Sequence, residues 1–395
     1  MDRLIPEKST FQSISNIKNL CAALDISEKD LSSALSLRDN EKYVIDHVEK
    51  SDGTFRKIHK PHYEIRKIQR RINKRIFKKI VLWPDYIYGC IPNEISSDGK
   101  LIKARDYVSC ASQHCSTKSL LKIDIKDFFD NISAHLVFEM FSRFFKYNDE
   151  ISQTLTKLCC FKGTLIQGAL TSSYIAALCL WDLEHKVVSR LKRKQLTYTR
   201  LVDDITISSK TSNFQFDYAL TLVSNMLLEK ELPINLHKTK SSSSSILPLV
   251  VHGMRVNFEE PRYPSNEVKK LRAAVHNIEK LASEPGYRIT HAYRRDFNRC
   301  MGRVNKLKRV GHNSHSKLVE KLLRVLPLPA KVDLKRSHTI VARLEKDFKE
   351  KHTSYWYHKR FYKAHDRLNI LQRTYSKTAQ ELRLKLKAIK PKYEN

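Results

Sequence analysis

The chain has 395 residues, enough to bury a large core in two or three subdomains, with 73 Lys and Arg against 42 Asp and Glu, a formal charge of +31. That excess makes a polyanion, first of all nucleic acid, the expected partner. No uninterrupted apolar run approaches the roughly 18–20 residues of a membrane span, and the opening MDRLIPEKSTFQSISNIKNL is polar throughout, so no membrane partner and a soluble, intracellular protein are expected.

The eight cysteines include no C-x-x-C pair, and reduced, partly buried thiols are expected. CASQHC, Cys110 to Cys115, lacks a second ligand pair at zinc spacing and is not read as a zinc site.

Taken in chain order, LDISEKDLSSALSL predicts a helix start in which Ser27 caps, Asp30 closes the box and Ile26 staples to Leu31. It lies in an N-terminal helical segment, residues 1–40. EKYVIDHVEKSDGTFRKIHK, 41–60, alternates apolar and polar residues around Asp52-Gly53 and predicts a β-hairpin ending at Pro61. Ile65, Ile68, Ile72, Ile76 and Ile80 then fall at helical spacing over 63–80. Eight cations from Arg66 to Lys79, with no acid among them, fill the other faces; Arg66, Arg70, Arg71 and Lys74 are candidate phosphate contacts.

SLLKIDI, 119–125, predicts a strand, followed by a polar junction and a helix from Ser133. A second helix is predicted from Thr171 or Ser172 through YIAALCLWDLEHKVVSRL, with a hydroxyl cap. YTRLVDDITISS, Tyr198 to Ser209, reads as a hairpin, Ser241 to Ser245 as a loop, and LPLVVHGMRVN as strand. From about 265 the chain is helical and charged, with Arg294, Arg295 and Arg299 as candidate nucleic-acid contacts. YWYHKRFYK, Tyr355 to Lys363, interleaves rings and cations: it suits stacking on bases beside phosphates, or a helix whose rings pack on a neighbour.

An Asp-Asp pair between two strand-like runs is by itself a turn with solvated acids. Asp124 ends a strand of the same type, and neighbouring strands lie about 4.8 Å apart, so adjacent strand ends could gather three carboxylates around a pair of divalent ions. Hard carboxylate oxygens suit Mg2+, with Mn2+ as a substitute.

In order, RKIHKP, LKIDIKDFFDNIS, GTLIQGALTSS, YTRLVDDITISS, INLHKTK and VVHGMRVN resemble the motifs of bacterial reverse transcriptases of the retron and defence-associated group, over about half the chain. The resemblance implies an α+β right-hand polymerase: fingers 41–118, palm 119–260 with an antiparallel sheet packed by helices, a helical thumb 261–330 and a basic helical extension 331–395. It implies Asp124, Asp203 and Asp204 as catalytic residues and metal ligands for two ions. Arg56, Asp127, Gln167, Gly168 and Lys238 would line the nucleotide pocket, and Phe129 would exclude a ribonucleotide's 2′-hydroxyl. A glycine at 168 would keep side-chain atoms away from the substrate.

The implied activity is RNA-directed DNA synthesis in bacterial cytoplasm, with deoxynucleotides, an RNA template or structured non-coding RNA and a DNA product. A second reverse transcriptase or another copy of the chain is a further expected partner. Synthesis without an ordinary template or with a protein primer, and a non-catalytic RNA-binding scaffold, stay open. Leu201-Val202 before the aspartates, Ile166 before Gln167, Cys110 and His252 depart from the family pattern. With the long NEISSDGKLIKARDY segment and the C-terminal extension, they direct the expectation to a defence-associated type 3 system rather than a retron proper.

Overall fold

The computed structural model describes residues 3–49 and 53–392, so Asp52 of the expected Asp52-Gly53 turn lies outside the described residues. The fold is α+β. The chain divides into two compact units, Met1–Arg262 and Tyr263–Asn395. In the first, Ser27 and Asp30 form the capping box of the Glu28–Ser36 helix. Strands β1 (Tyr43–Glu49) and β2 (Phe55–Pro61) pair antiparallel as the expected hairpin.

The core sheet of this unit contains β3 (Ile87–Tyr88), β4 (Ser119–Asp124), β5 (Thr197–Leu201), β6 (Asp204–Ser209) and β7 (Lys240–Ser243), in the spatial order β7-β4-β6-β5-β3. All neighbours are antiparallel except β3 beside β5. A short hairpin, β8 (Val250–Val251) with β9 (Met254–Arg255), follows. Leu121 and Ile123 of β4 lie opposite Ile207 and Ile205 of β6, all at most 3% exposed. Side chains alternate across a strand, so this apolar register puts Asp124 and Asp204, directly paired, on the other face. A slip of β6 by one residue would drive Asp204 into the core and turn Ile205 and Ile207 out of it.

Three expectations are corrected. Ser241 to Ser243, read as loop, belong to β7, because β4 offers a free edge and a strand's backbone bonds need no particular side chain. The helix expected to run unbroken from Thr171 is two, Ser172–Leu178 and Glu184–Arg193, and Thr171 makes no side-chain cap bond. Tyr63–Ile72 is α-helical but Asn73–Phe77 is a π-helical stretch, whose extra residue turns Phe77 inward beside Ile76 and leaves Ile80 half-buried.

The break in the second helix serves a buried ion pair. Arg200 of β5 and Glu184 are 0% and 1% exposed, with Arg200 Nε 2.6 Å and Nη2 2.8 Å from the two carboxylate oxygens. The Tyr198 hydroxyl donates to the same carboxylate at 2.8 Å. The guanidinium also donates to the Ala176 and Ala177 carbonyls, at 3.1 and 2.7 Å, groups that a helix ending at Leu178 leaves without intrahelical partners.

In the second unit, Ser265–Ser283, His291–Arg309 and Ser314–Arg324 enclose one core around Val275, Phe297, Val304 and Leu322. Lys331–Lys351, Tyr355–Leu371 and Ser376–Ala388 enclose another around Leu344, Tyr357, Phe361 and Leu382. Tyr357 and Phe361 are core rings, whereas Trp356 and Tyr362 stay exposed. Among the described residues no helix is long and apolar enough to cross a membrane. All eight cysteines are free thiols.

Removing one partner of a buried pair strands the other charge. Glu184→Ala is expected to lower unfolding free energy by about 3–5 kcal/mol in denaturant titrations, and the double variant Glu184→Leu/Arg200→Met to recover much of that.

Candidate active site

The turn between β5 and β6 is held from three sides. Val202 sits at φ 62°, a left-handed conformation costly for a β-branched residue, so its surroundings must enforce it. Arg200 Nη1 donates to the Val202 carbonyl at 3.2 Å, and the Ile125 amide donates to the Asp203 carbonyl at 3.1 Å. Gly89 lies close below: a Cβ there would come 3.1 Å from Val202 Cγ2. The departure Leu201-Val202 is thus part of a packed, strained turn.

This turn brings Asp203 and Asp204 to the end of β4, where Asp124 is the direct partner of Asp204. Asp124 is 13% exposed and accepts from Asn235 Nδ2 at 3.1 Å, with Lys238 Nζ 3.3 Å away. Burial, then the charge of Asp124, raises the Asp203 carboxyl above its usual range, opposed by its own backbone bond, Lys238 and Arg56. Asp204 is 52% exposed, yet desolvation by surrounding protein, then Asp203 and Asp124, push it up to about 6. His252, in the β8–β9 turn, has Nδ1 3.9 Å from Asp204. Burial and Lys122 lower that imidazole to about 4, so it faces the acid as a neutral ring.

Among the described residues no three His, Cys, Asp or Glu side chains converge to hold a metal ion as they stand. Three like charges repel, and the carboxylates turn to separate neighbours: Asp124 to Asn235 and Lys238, Asp204 towards His252. The backbone nonetheless sets two of them opposite each other and the third adjacent, a hard-oxygen set that fits divalent cations after side-chain rotation.

The other candidates fall in two groups. Arg56, exposed on β2, is near enough for its charge to act on Asp203. Asp127 is exposed at φ 43° before a short helix, Phe128–Asn131, that buries Phe128 and leaves Phe129 only partly covered. Gln167 is tied to the hairpin through the His59 amide, which donates to its carbonyl at 2.8 Å. Gly168 has φ 109°, and a Cβ there would run into the His59 carbonyl oxygen and lie 2.7 Å from Ile58 Cγ2. The reason for this glycine is therefore the approach of β2, in addition to any approach of substrate. Lys238 stands on Asp124.

The cationic candidates need correction. Arg71 is 8% exposed and pairs with Asp25 at 2.9 Å; Arg75 shares that acid at 3.1 Å and Lys67 meets Asp30 at 3.0 Å. The acids missing from the helix come from the segment before it, so Arg71 is a structural cation and not a phosphate contact. Arg66 and Arg70 are half-buried and Lys74 exposed. In the second unit Arg294 pairs with Asp333 at 2.8 Å and is likewise structural, whereas Arg295 and Arg299 are exposed, Arg295 lying 3.5 Å from Asp296.

Sequence reasoning passed over Glu184, Arg200 and Asn235. The only signals were a charged residue inside an apolar strand and one following an apolar helix. The CASQHC segment, set aside above as a zinc site, has a packing role. His114 is fully buried and bonded to Ser208 Oγ at 2.8 Å and Thr199 Oγ1 at 2.7 Å, pinning its segment to β5 and β6. The Cys110 thiol, 3.2 Å from Thr199 Oγ1, is committed to the same contact.

An Asp204 carboxyl raised to about 6 from an ordinary 3.8 disfavours the ionised folded state, a penalty absent below about pH 4 and complete above about pH 6. Asp204→Asn should therefore melt higher than the parent at pH 7.5 in chelator, with the gap closing as pH falls through that window. A calorimetric pH series checks it.

A family model described as reverse transcriptase (RNA-dependent DNA polymerase) matches residues 48–281. The chain is 41% identical over 377 residues to the Retron Ec48 reverse transcriptase of Escherichia coli, covering 95% of this chain and 92% of that protein. It is 32% identical over 277 residues to the Retron Se72 reverse transcriptase of Salmonella heidelberg, covering 69% of each. A telomerase from Candida albicans bound to a fragment of telomeric RNA aligns with TM-score 0.40 and 11% identity, over 91% of this chain and 68% of that one. The Ec48 similarity spans nearly the whole of this chain, so it extends beyond the residues the family model matches. The chain belongs to the reverse transcriptases, in the bacterial retron and defence-type group: it is an RNA-directed DNA polymerase of right-hand fold that takes an RNA template and a divalent metal.

Proposed function

We propose that DNA synthesis occurs at Asp124, Asp203 and Asp204, with Asp124 and Asp203 as the principal ligands of two Mg2+ ions and Asp204 assisting. The observation that carries this is the direct pairing of Asp124 with Asp204, with Asp203 beside them and Lys238 on Asp124. When bound, the ions supply Lewis acidity at the attacking and leaving oxygens of phosphoryl transfer. A primer 3′-hydroxyl gives up its proton to solvent and its oxygen bonds to the α-phosphorus, as the bond from that phosphorus to the α–β bridging oxygen breaks and pyrophosphate leaves.

Arg56 and Lys238 bring positive charge to the triphosphate. Asp127, Gln167 and Gly168 shape the pocket between β2 and the short helix, and Phe129 lies against the sugar. In this reading β1 and β2 belong to the fingers, the core sheet is the palm and the first three helices of the second unit are the thumb. The enzyme works in the bacterial cytoplasm with a structured non-coding RNA, in antiviral defence, its relatives being retron enzymes.

With labelled deoxynucleotides, Mg2+ and a primed RNA template, Asp203→Asn/Asp204→Asn should lose at least about a thousandfold in incorporation, by analogy with removal of charged groups from a phosphoryl-transfer site. Incorporation equal to the parent's would refute the site. Phe129→Ala should raise ribonucleotide use relative to deoxynucleotide use, read as a ratio of kcat/KM values. An unchanged ratio removes the sugar-gate role.

A further inference from the structure

Helices Lys331–Lys351 and Tyr355–Leu371 border a groove of about 540 Å³, a volume in the range of ligand sites. Seven of its eleven lining residues are Lys or Arg and none is acidic. One wall carries Arg336, Ile340 and Arg343, the other Trp356, Lys363 and Arg367. On each helix the lining residues recur at three- and four-residue steps over twelve positions, a stripe about 16 Å long. At about 3.4 Å per stacked nucleotide that is room for up to about five.

Of the seven cations, only Arg343 and Arg360 meet a carboxylate among the described residues, both on Asp347. Trp356 is 59% exposed and contributes nothing to the core, whose rings from this helix are Tyr357 and Phe361. Lys359 Nζ lies over the ring, 5.3 Å from its centroid, so a stacking base takes the opposite face or displaces this flexible side chain. An exposed indole among cations suits an unpaired base stacked on the ring with its flanking phosphates on lysine and arginine. A protein partner of matching charge would leave that ring face unexplained.

We propose that this groove is a binding site for single-stranded nucleic acid, with Trp356 as stacking platform and Arg336, Lys363 and Arg367 as phosphate contacts. The strand is a single-stranded stretch of the RNA or of the DNA product, which share this chemistry. The site rests on the polymerase assignment only for the source of that strand.

The test uses the full chain with ten-nucleotide oligo(U), oligo(dT) and a duplex of equal length. Tryptophan emission reports on the groove, because Trp83 is 4% exposed and Trp181 half-buried. Oligonucleotide should quench that emission in the parent, and Trp356→Phe should abolish the quenching. Trp356→Ala should weaken binding about tenfold. Arg336→Gln/Lys363→Gln should flatten the slope of log affinity against log salt by about 1.4, two single-strand phosphates' worth.

Primer extension by these variants on a short primed template should match the parent's, which keeps failure of the groove distinct from failure of the polymerase site. Preference for oligo(U) assigns the strand to RNA, and preference for oligo(dT) assigns it to the product. Quenching that survives Trp356→Phe with an unchanged salt slope overturns the site. So does tighter binding of the duplex than of either single strand, or loss of a co-purifying protein from the variants with oligonucleotide binding intact.

Discussion

The organisation around the carboxylates depends on one buried ion pair. Arg200 and Glu184 are out of solvent, a placement tolerated only when every charge and donor is met. Here the guanidinium meets two carboxylate oxygens, two helix-terminal carbonyls and the Val202 carbonyl. One side chain thereby joins the strand leading into the Asp203-Asp204 turn, the end of one helix and the start of the next. It also helps hold Val202 in a conformation that a free chain would leave.

That rigidity matters because the site it serves works against its own stability. Asp204 is pushed up to about 6 and Asp203 above its usual range, so ionisation of these two opposes folding at neutral pH. The surroundings offset this with Lys238 and Asn235 on Asp124, and with Lys122 near Asp204. A cluster that costs stability and is fixed by a strained turn has the physical character of a reactive site rather than a structural one. The same economy explains the neutral His252, since a charged ring there would compete with cations for Asp204.

The large positive charge divides into two populations. Arg71, Arg75, Lys67 and Arg294 are bound to acids and hold helices together. Arg295, Arg299 and the groove between the last long helices keep positive charge at the surface. A net charge cannot distinguish these populations.

Much was legible in advance because its cause is local. The Ser27 cap, the alternation that makes β4 and β6, and the helical spacing from Ile65 to Ile76 are set by neighbours one to four residues away. The order of motifs identified the family on residues alone. What could not be read depended on partners far along the chain. Ser241 to Ser243 became strand because β4 had an open edge, and the helix after Thr171 broke where Glu184 meets Arg200. Arg71 lost its availability to Asp25, and Gly168 owes its conformation to β2 crossing above it. Local pattern decides which face of an element is apolar. Which acid meets which base, and which edge meets which strand, is decided by packing, because desolvation makes each such meeting strongly favourable or strongly costly only once the chain has closed around it.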